Sequence, residues 1–273
     1  MAPGRRRLDA EIVRRKLARS REQAQDWIKQ GRVEVGGFVA TKPATVVEPE
    51  ASIKINVEDA DEWASRGAHK LLGALDVFEA RGLSVEKRRA LDAGASTGGF
   101  TDVLLAKGAR EVVAVDVGYG QLVWRLQNDP RVRVLDRTNI RHLTPEMMGG
   151  QADLMVGDLS FISLTLVLPA IAECMAPGAD LLPMVKPQFE VGKERLGSGG
   201  VVRSPQLRAE VTAHVAQFAQ SLGLSVRDVV ASPLPGPSGN VEYFLWLVKD
   251  AHASMLDDAS LNALVARAVE EGP

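Results

Sequence analysis

The chain has 273 residues, 45% apolar and 25% charged, a balance that fits a globular protein with one large α/β domain and a small one. Its single cysteine, Cys174, excludes an intramolecular disulfide or a cysteine metal cluster and fits a reducing compartment. No apolar h-region follows Met-Ala-Pro-Gly-Arg-Arg-Arg, and Pro169, Glu173, Pro177, Asp180 and Pro183 interrupt the longest apolar stretch, so neither a signal peptide nor a spanning helix is expected and the cytoplasm is the expected location.

The net charge of −2 conceals a segregation. Residues 1–33 carry ten basic and four acidic side chains, near +6, which leaves the remainder near −8. A basic appendage on an acidic body suits a polyanion. A solvated helix face would give the same composition, but the pattern is that of a folded module. Leu8, Ile12, Val13 and Leu17 predict a helix from about Asp9 to Ala18. Ser20 with Gln23 predicts the capped start of a second helix, which carries Ala24, Trp27 and Ile28 and stops at Gly31. Val33-Glu34-Val35, Gly36-Gly37 and Phe38-Val39 read as a hairpin, and residues 53–57 as an alternating strand.

Arg7-Leu8-Asp9, Ala18-Arg19-Ser20-Arg21-Glu22-Gln23-Ala24 and Gly31-Arg32-Val33-Glu34-Val35-Gly36-Gly37 together resemble an S4 domain, a small module that binds structured RNA. The resemblance covers residues 5–57. It implies phosphate contacts from helix-borne basic residues, for which Arg6, Arg7, Arg14, Arg15, Arg19 and Arg21 are the candidates. Residues 58–65 read as an acidic linker, with Trp63 either docked on the larger domain or facing substrate.

Residues 66–250 form the second domain, and 251–273 a helical tail. A helix is predicted over residues 69–80, and strands near 89–93, 111–116, 131–135, 152–157, 179–185, 224–231 and 241–248. Ser204-Pro205 opens a long helix to about Leu222. Alternation of strand and helix predicts a doubly wound parallel sheet, and the short link between the last two strands predicts a reversed pair. The glycine turn in Leu91-Asp92-Ala93-Gly94-Ala95-Ser96-Thr97-Gly98-Gly99-Phe100 lets backbone approach a nucleoside ligand, and Asp116 ends the next strand where a ribose offers its hydroxyls. Seven strands with an antiparallel last one resemble the α/β class I methyltransferase fold, with its Rossmann-like sheet. A dehydrogenase would more often show Gly-x-Gly-x-x-Gly and a second catalytic domain.

The stretch from Asp92 to Phe100 resembles the S-adenosylmethionine motif of FtsJ-type RNA 2′-O-methyltransferases, with Thr97 where that family often has proline. The resemblance implies cofactor contacts from Asp92, Gly94, Ser96, Thr97, Gly98, Gly99, Phe100, Asp116, Asn139 and Asp158. Asp136 to Asn139 would flank the adenine, and simple loop capping is the open alternative. Lys70, Asp158, Lys186 and Glu242 match that family's catalytic Lys, Asp, Lys and Glu, with Glu242 expected inside the last strand. A crowded ammonium can serve as base for a 2′-hydroxyl, a role assigned to Lys186, with Asp158 orienting it, Lys70 on the developing oxyanion and Glu242 holding Lys70 or the hydroxyl. How the two lysines divide the work stays open. The four histidines have no zinc-ligand spacing, and an in-line attack without a metal is expected.

Together with Ser65-Arg66-Gly67-Ala68-His69-Lys70, Lys186-Pro187-Gln188-Phe189-Glu190 and the loop from Ser232 to Asn240, these motifs resemble the TlyA family over essentially the whole chain. That resemblance implies 2′-O-methylation of cytidine in 16S and 23S ribosomal RNA, capreomycin sensitivity, ribosomal RNA or subunits as partner, no membrane and no stable protein partner. The family also carries a haemolysin label. A membrane-active haemolysin and an RNA-binding assembly factor with a degenerate methyltransferase fold are the rival readings.

Overall fold

Two hydrophobic patterns mark two separate units. The computed structural model describes residues 5–18, 20–29, 31–55, 63–250 and 255–273, and the chain divides into units Met1–Glu62 and Trp63–Pro273. Arg19, the linker acids from Glu58 to Glu62 and the expected strand end at 56–57 lie outside the described residues.

In the first unit the elements are β1 (Arg6–Arg7), α1 (Leu8–Arg14), α2 (Arg21–Lys29), β2 (Val33–Val35), β3 (Phe38–Val39), β4 (Val46–Val47) and β5 (Ile53–Ile55). β1 pairs with β4, and β2 lies between β3 and β5, all antiparallel. Leu8, Ile12, Ala24, Ile28, Val33 and Val47 close a small core between the helices and the strands. Gly36 and Gly37 both take positive φ, the geometry of a two-residue hairpin turn, and the Ser20 hydroxyl accepts the Gln23 amide at 3.1 Å. Helix α1 stops four residues before the expected Ala18. Lys16 adopts φ +59, Leu17 N donates to Ile12 O and Lys16 N to Val13 O, so a Schellman turn ends the helix without a glycine to announce it.

The second unit contains α3 (Gly67–Glu79), β6 (Arg89–Ala93), α4 (Gly99–Ala106), β7 (Glu111–Val115), α5 (Trp124–Gln127), β8 (Val132–Leu135), α6 (Pro145–Met148), β9 (Ala152–Gly157) and α7 (Leu168–Cys174). There follow β10 (Met175–Val185), α8 (Pro187–Glu190), α9 (Pro205–Ser221), β11 (Leu224–Ala231), β12 (Tyr243–Lys249) and α10 (Asp258–Glu271). The sheet order is β11-β12-β10-β9-β6-β7-β8, and β12 alone is antiparallel to both neighbours. α3 and α4 bury Leu71, Leu75, Phe78, Val103 and Leu104 on one side of the sheet. α7, α9 and α10 bury Ile171, Val215, Ala219, Leu261 and Val265 on the other. With both faces covered, the parallel strands read as continuous apolar runs.

Three differences from the expected boundaries follow from local geometry. β10 begins at Met175 rather than near 179, because its pairing with β9 resumes after an irregularity between Met175 and Asp180. β12 begins at Tyr243, so Glu242 is not in the strand as expected but in the loop just before it. Residues 63–65, expected as linker, belong with the second unit. There Trp63 packs on the core and Ala64 N donates to Asp102 Oδ2 at 2.8 Å.

Candidate active site and nucleic-acid interface

The chain reverses its winding direction between β6 and β9, and the carboxyl ends of parallel strands at such a point form a ligand crevice. Gly94 follows β6, Asp116 follows β7, Asp158 follows β9 and Lys186 follows β10. The antiparallel β12 starts at this same edge, which is how Glu242 joins residues so distant in sequence.

The glycine turn is shaped by packing as well as by dihedral angle. Gly94 has φ +84, and a Cβ there would stand 3.2 Å from the Asp158 carbonyl oxygen. Gly98 has φ +102, and its Cβ would press on the Leu122 and Leu126 side chains. At Gly99 the Cβ would collide with Ser65 Oγ. Glycine therefore brings the turn against the end of β9 and seats α4 on residues 65–68. Asp116 ties the turn to the next loop: Ser96 N donates to its Oδ2 at 2.8 Å and Gly118 N to its Oδ1 at 2.7 Å.

The expected cofactor residues separate into two groups. Gly94, Ser96, Thr97, Asp116 and Asp158 line the exposed side of the turn. Asp92 and Phe100 do not. Asp92 is fully buried, accepts the Thr101 hydroxyl at 2.7 Å, and burial pushes its pKa up to about 7. Phe100 packs against Phe244 in the core. Both support the turn from behind rather than presenting groups to a ligand. Asn139 caps a short 3-10 turn through the Arg141 amide at 3.0 Å, and Asp136 accepts Gly120 N at 2.8 Å, so both carry the loop-capping role.

The four catalytic candidates converge. Lys70 Nζ lies 2.6 Å from Glu242 Oε2 and 3.9 Å from Asp158 Oδ2, and Lys186 Nζ lies 2.5 Å from Asp158 Oδ1. Lys186 also donates to Ser160 Oγ at 2.8 Å. The Lys70–Glu242 pair is sealed, its side chains 6% and 1% exposed, whereas Asp158 keeps 25%. The loop from Ser232 to Asn240 backs this pair: a Cβ at Gly236 would stand 2.6 Å from Glu242 Oε1, and one at Gly73 would press on the Pro233 ring.

Several site residues carry no signal that sequence reading used. Phe161 is 90% exposed at φ +64 and its ring meets that of Phe189 at 5.2 Å. A bulky residue in the left-handed region costs about 1–3 kcal/mol, so the loop after β9 holds this ring outward against a local preference. Gln188 Nε2 approaches Glu242 Oε1 at 3.4 Å. Glu190 accepts the Ser163 hydroxyl at 2.6 Å and Leu164 N at 2.8 Å, which fastens the loop bearing Ser160 and Phe161 to the segment bearing Lys186 and Phe189. Burial raises the Glu190 pKa.

In the first unit the arginines differ among themselves. Arg15 donates to Glu11, Ala51 O and Pro49 O, which engages all three of its guanidinium nitrogens within the module. The side chains of Arg6, Arg7, Arg14 and Arg21 remain exposed. The Arg14 and Arg15 guanidiniums hold the Glu11 carboxyl well below the usual carboxylate range.

Fold and site define an α/β methyltransferase joined to a small basic module. Residues 63–249 match the FtsJ-like methyltransferase family and residues 6–53 the S4 domain. The 16S/23S rRNA (cytidine-2′-O)-methyltransferase TlyA of Mycobacterium tuberculosis is 57% identical over 269 residues, covering 98% of this chain and 99% of that protein. Hemolysin A of Brachyspira hyodysenteriae is 36% identical over 87% of this chain and 97% of its own length. A solved structure from Streptococcus thermophilus, described as a hemolysin candidate, is 38% identical with a TM-score of 0.76, covering 98% of this chain and 96% of that one. The chain belongs to the TlyA family of FtsJ-like methyltransferases.

Proposed function

We propose that this chain transfers a methyl group from S-adenosylmethionine to the 2′-hydroxyl of cytidine in ribosomal RNA, that the first unit docks on that RNA, and that the reaction takes place in the cytoplasm. The observation that carries this reading is the meeting of Lys70, Asp158, Lys186 and Glu242 at the carboxyl edge of the sheet beside the glycine turn. The turn suits the cofactor: it presents backbone at Gly94 to Thr97, an acid at Asp116 for ribose hydroxyls, and a carboxylate at Asp158 for a cationic centre. When bound, S-adenosylmethionine supplies an electrophilic sulfonium methyl.

The surroundings of the two lysines argue for Lys186 as the base. If Lys70 gave up its proton, the carboxylate of the buried Glu242 would lose its nearest cation, and an uncompensated buried charge costs about 3–5 kcal/mol. When Lys186 gives up its proton, Asp158 still has Lys70 at 3.9 Å and partial contact with solvent. Lys186 therefore takes the hydroxyl proton, Asp158 and Ser160 aim its Nζ, and Lys70 stays cationic beside the developing oxyanion. The Phe161–Phe189 pair offers an exposed ring face to a base withdrawn from its stack.

Asp116→Ala is expected to weaken S-adenosylmethionine binding by about 1–3 kcal/mol, through loss of ribose acceptors and of the two loop bonds. Calorimetry giving wild-type affinity in a folded variant would place the ribose elsewhere. Phe161→Ala should lower transfer to ribosomal subunits about 5–150-fold, since base–aromatic stacking contributes about 1–3 kcal/mol, with cofactor affinity unchanged. Equal transfer rates for wild type and variant would remove the ring from the substrate path. The reading as a whole is tested by transfer of tritiated methyl from S-adenosylmethionine to isolated ribosomal subunits. Among the described residues no helix is long and apolar enough to cross a membrane.

A further inference from the structure

Asp9 is a carboxylate with no exposed surface in the middle of a basic module. Its Oδ2 accepts Arg7 Nη2 at 2.9 Å, Arg21 Nη2 at 3.0 Å and Gln25 Nε2 at 2.8 Å. Its Oδ1 accepts Arg7 Nε at 3.1 Å and Ala10 N at 2.8 Å. These bonds, the one from Arg7 foremost, hold the carboxyl far below the ordinary aspartate range, so it is ionised at any working pH.

The two arginine side chains are nevertheless about half exposed, 49% for Arg7 and 56% for Arg21. Their Nη2 atoms lie within 3.0 Å of the same oxygen, hence at most about 6 Å from each other. One anion with charge-assisted contacts of about 2.7–2.9 Å can bridge that span. Asp9, Arg7 and Arg21 together carry one net positive charge, which a single phosphodiester neutralises. The neighbouring cluster shows the contrast: Glu11 also grips two arginines, but all three guanidinium nitrogens of Arg15 already donate within the module, to Glu11, Ala51 O and Pro49 O, and its side chain is only 22% exposed.

We propose that Arg7 and Arg21 form one preorganised site for a single RNA phosphate, and that buried Asp9 is the positioning residue that sets it. The inference rests on the reading of the first unit as the RNA anchor. Fixing both forks in advance removes the entropy of ordering two long side chains when the phosphate arrives. Asp9 itself touches no ligand.

The proposal makes a prediction opposite in sign to bulk electrostatics. Asp9→Asn keeps the shape of the side chain and raises the charge of the module by one, so simple charge attraction predicts tighter binding and a steeper salt dependence. The positioning role predicts weaker binding of the full chain to purified large ribosomal subunits, about 5–20-fold in Kd, with the salt slope reduced by about one. Arg7→Lys and Arg21→Lys, which keep every charge and the Asp9 carboxylate, serve where Asp9→Asn fails to fold. Each should weaken binding, and the double variant should bind about as poorly as the weaker single, because one phosphate needs both forks. Fully additive losses would mean two separate phosphates and overturn the site. A salt-dependent wild type with an unchanged or tighter folded Asp9→Asn variant overturns the site alone. A wild-type affinity insensitive to salt overturns the RNA-anchor reading and the site with it.

Discussion

Lys186→Ala should slow single-turnover methyl transfer by about 10²–10⁴-fold, the span that a positioned base contributes. Equilibrium binding of cofactor and of ribosomal subunits should stay near wild type, since the proton moves only in the transition state. The fold should tolerate the change, because Asp158 keeps partial solvent contact and Lys70 stays paired with Glu242. Lys186→Arg separates charge from basicity. It retains a cation beside Asp158 but cannot release a proton near neutral pH, so it should be as slow as the alanine variant. Rapid-quench transfer under saturating enzyme reads both. An arginine variant with most of the wild-type rate would make Lys186 an electrostatic group and move the base elsewhere.

Removal of the first unit should leave cofactor binding intact and lower kcat/KM on ribosomal subunits by about 10²–10³-fold, as expected for loss of several charge-assisted phosphate contacts. The cut belongs before residue 58, not at Ser65. Trp63 packs on the core of the second unit, Ala64 N bonds Asp102, and Ser65 Oγ stands where a Gly99 Cβ would be. A chain starting at Ser65 would test damage to the glycine turn as much as loss of RNA docking. Full activity of the longer truncation on subunits would return the N-terminal arginines to a solvated face.

Much of the frame was legible from local signals. The glycine turn, the acid after the next strand and the capped start of α9 are short-range patterns with one dominant physical reading, and the structure places each where expected. The end of α1 was not legible because Lys16 takes a left-handed conformation that usually requires glycine. Which residues of the turn face a ligand was also hidden. Asp92 and Phe100 belong to the same motif as Ser96 and Thr97, and only packing against Thr101 and Phe244 turns them inward. Arg15 has the composition of an RNA-binding residue, yet carbonyls 34 and 36 residues away engage it. Phe161, Ser160 and Glu190 act through contacts between the loop after β9 and the segment after β10, which no spacing rule links. Local chemistry was readable, and long-range partnership was not.

The measurement that bears most directly on the central claim is the identity of the modified nucleoside. Ribosomal subunits from a strain lacking this activity are incubated with the full chain and methyl-labelled S-adenosylmethionine, digested to nucleosides and resolved by mass spectrometry. The account predicts label in 2′-O-methylcytidine, abolished by Lys186→Ala, with the ribose fragment carrying the added mass. Label on a base, or no transfer from a chain that binds both cofactor and subunits, would contradict it.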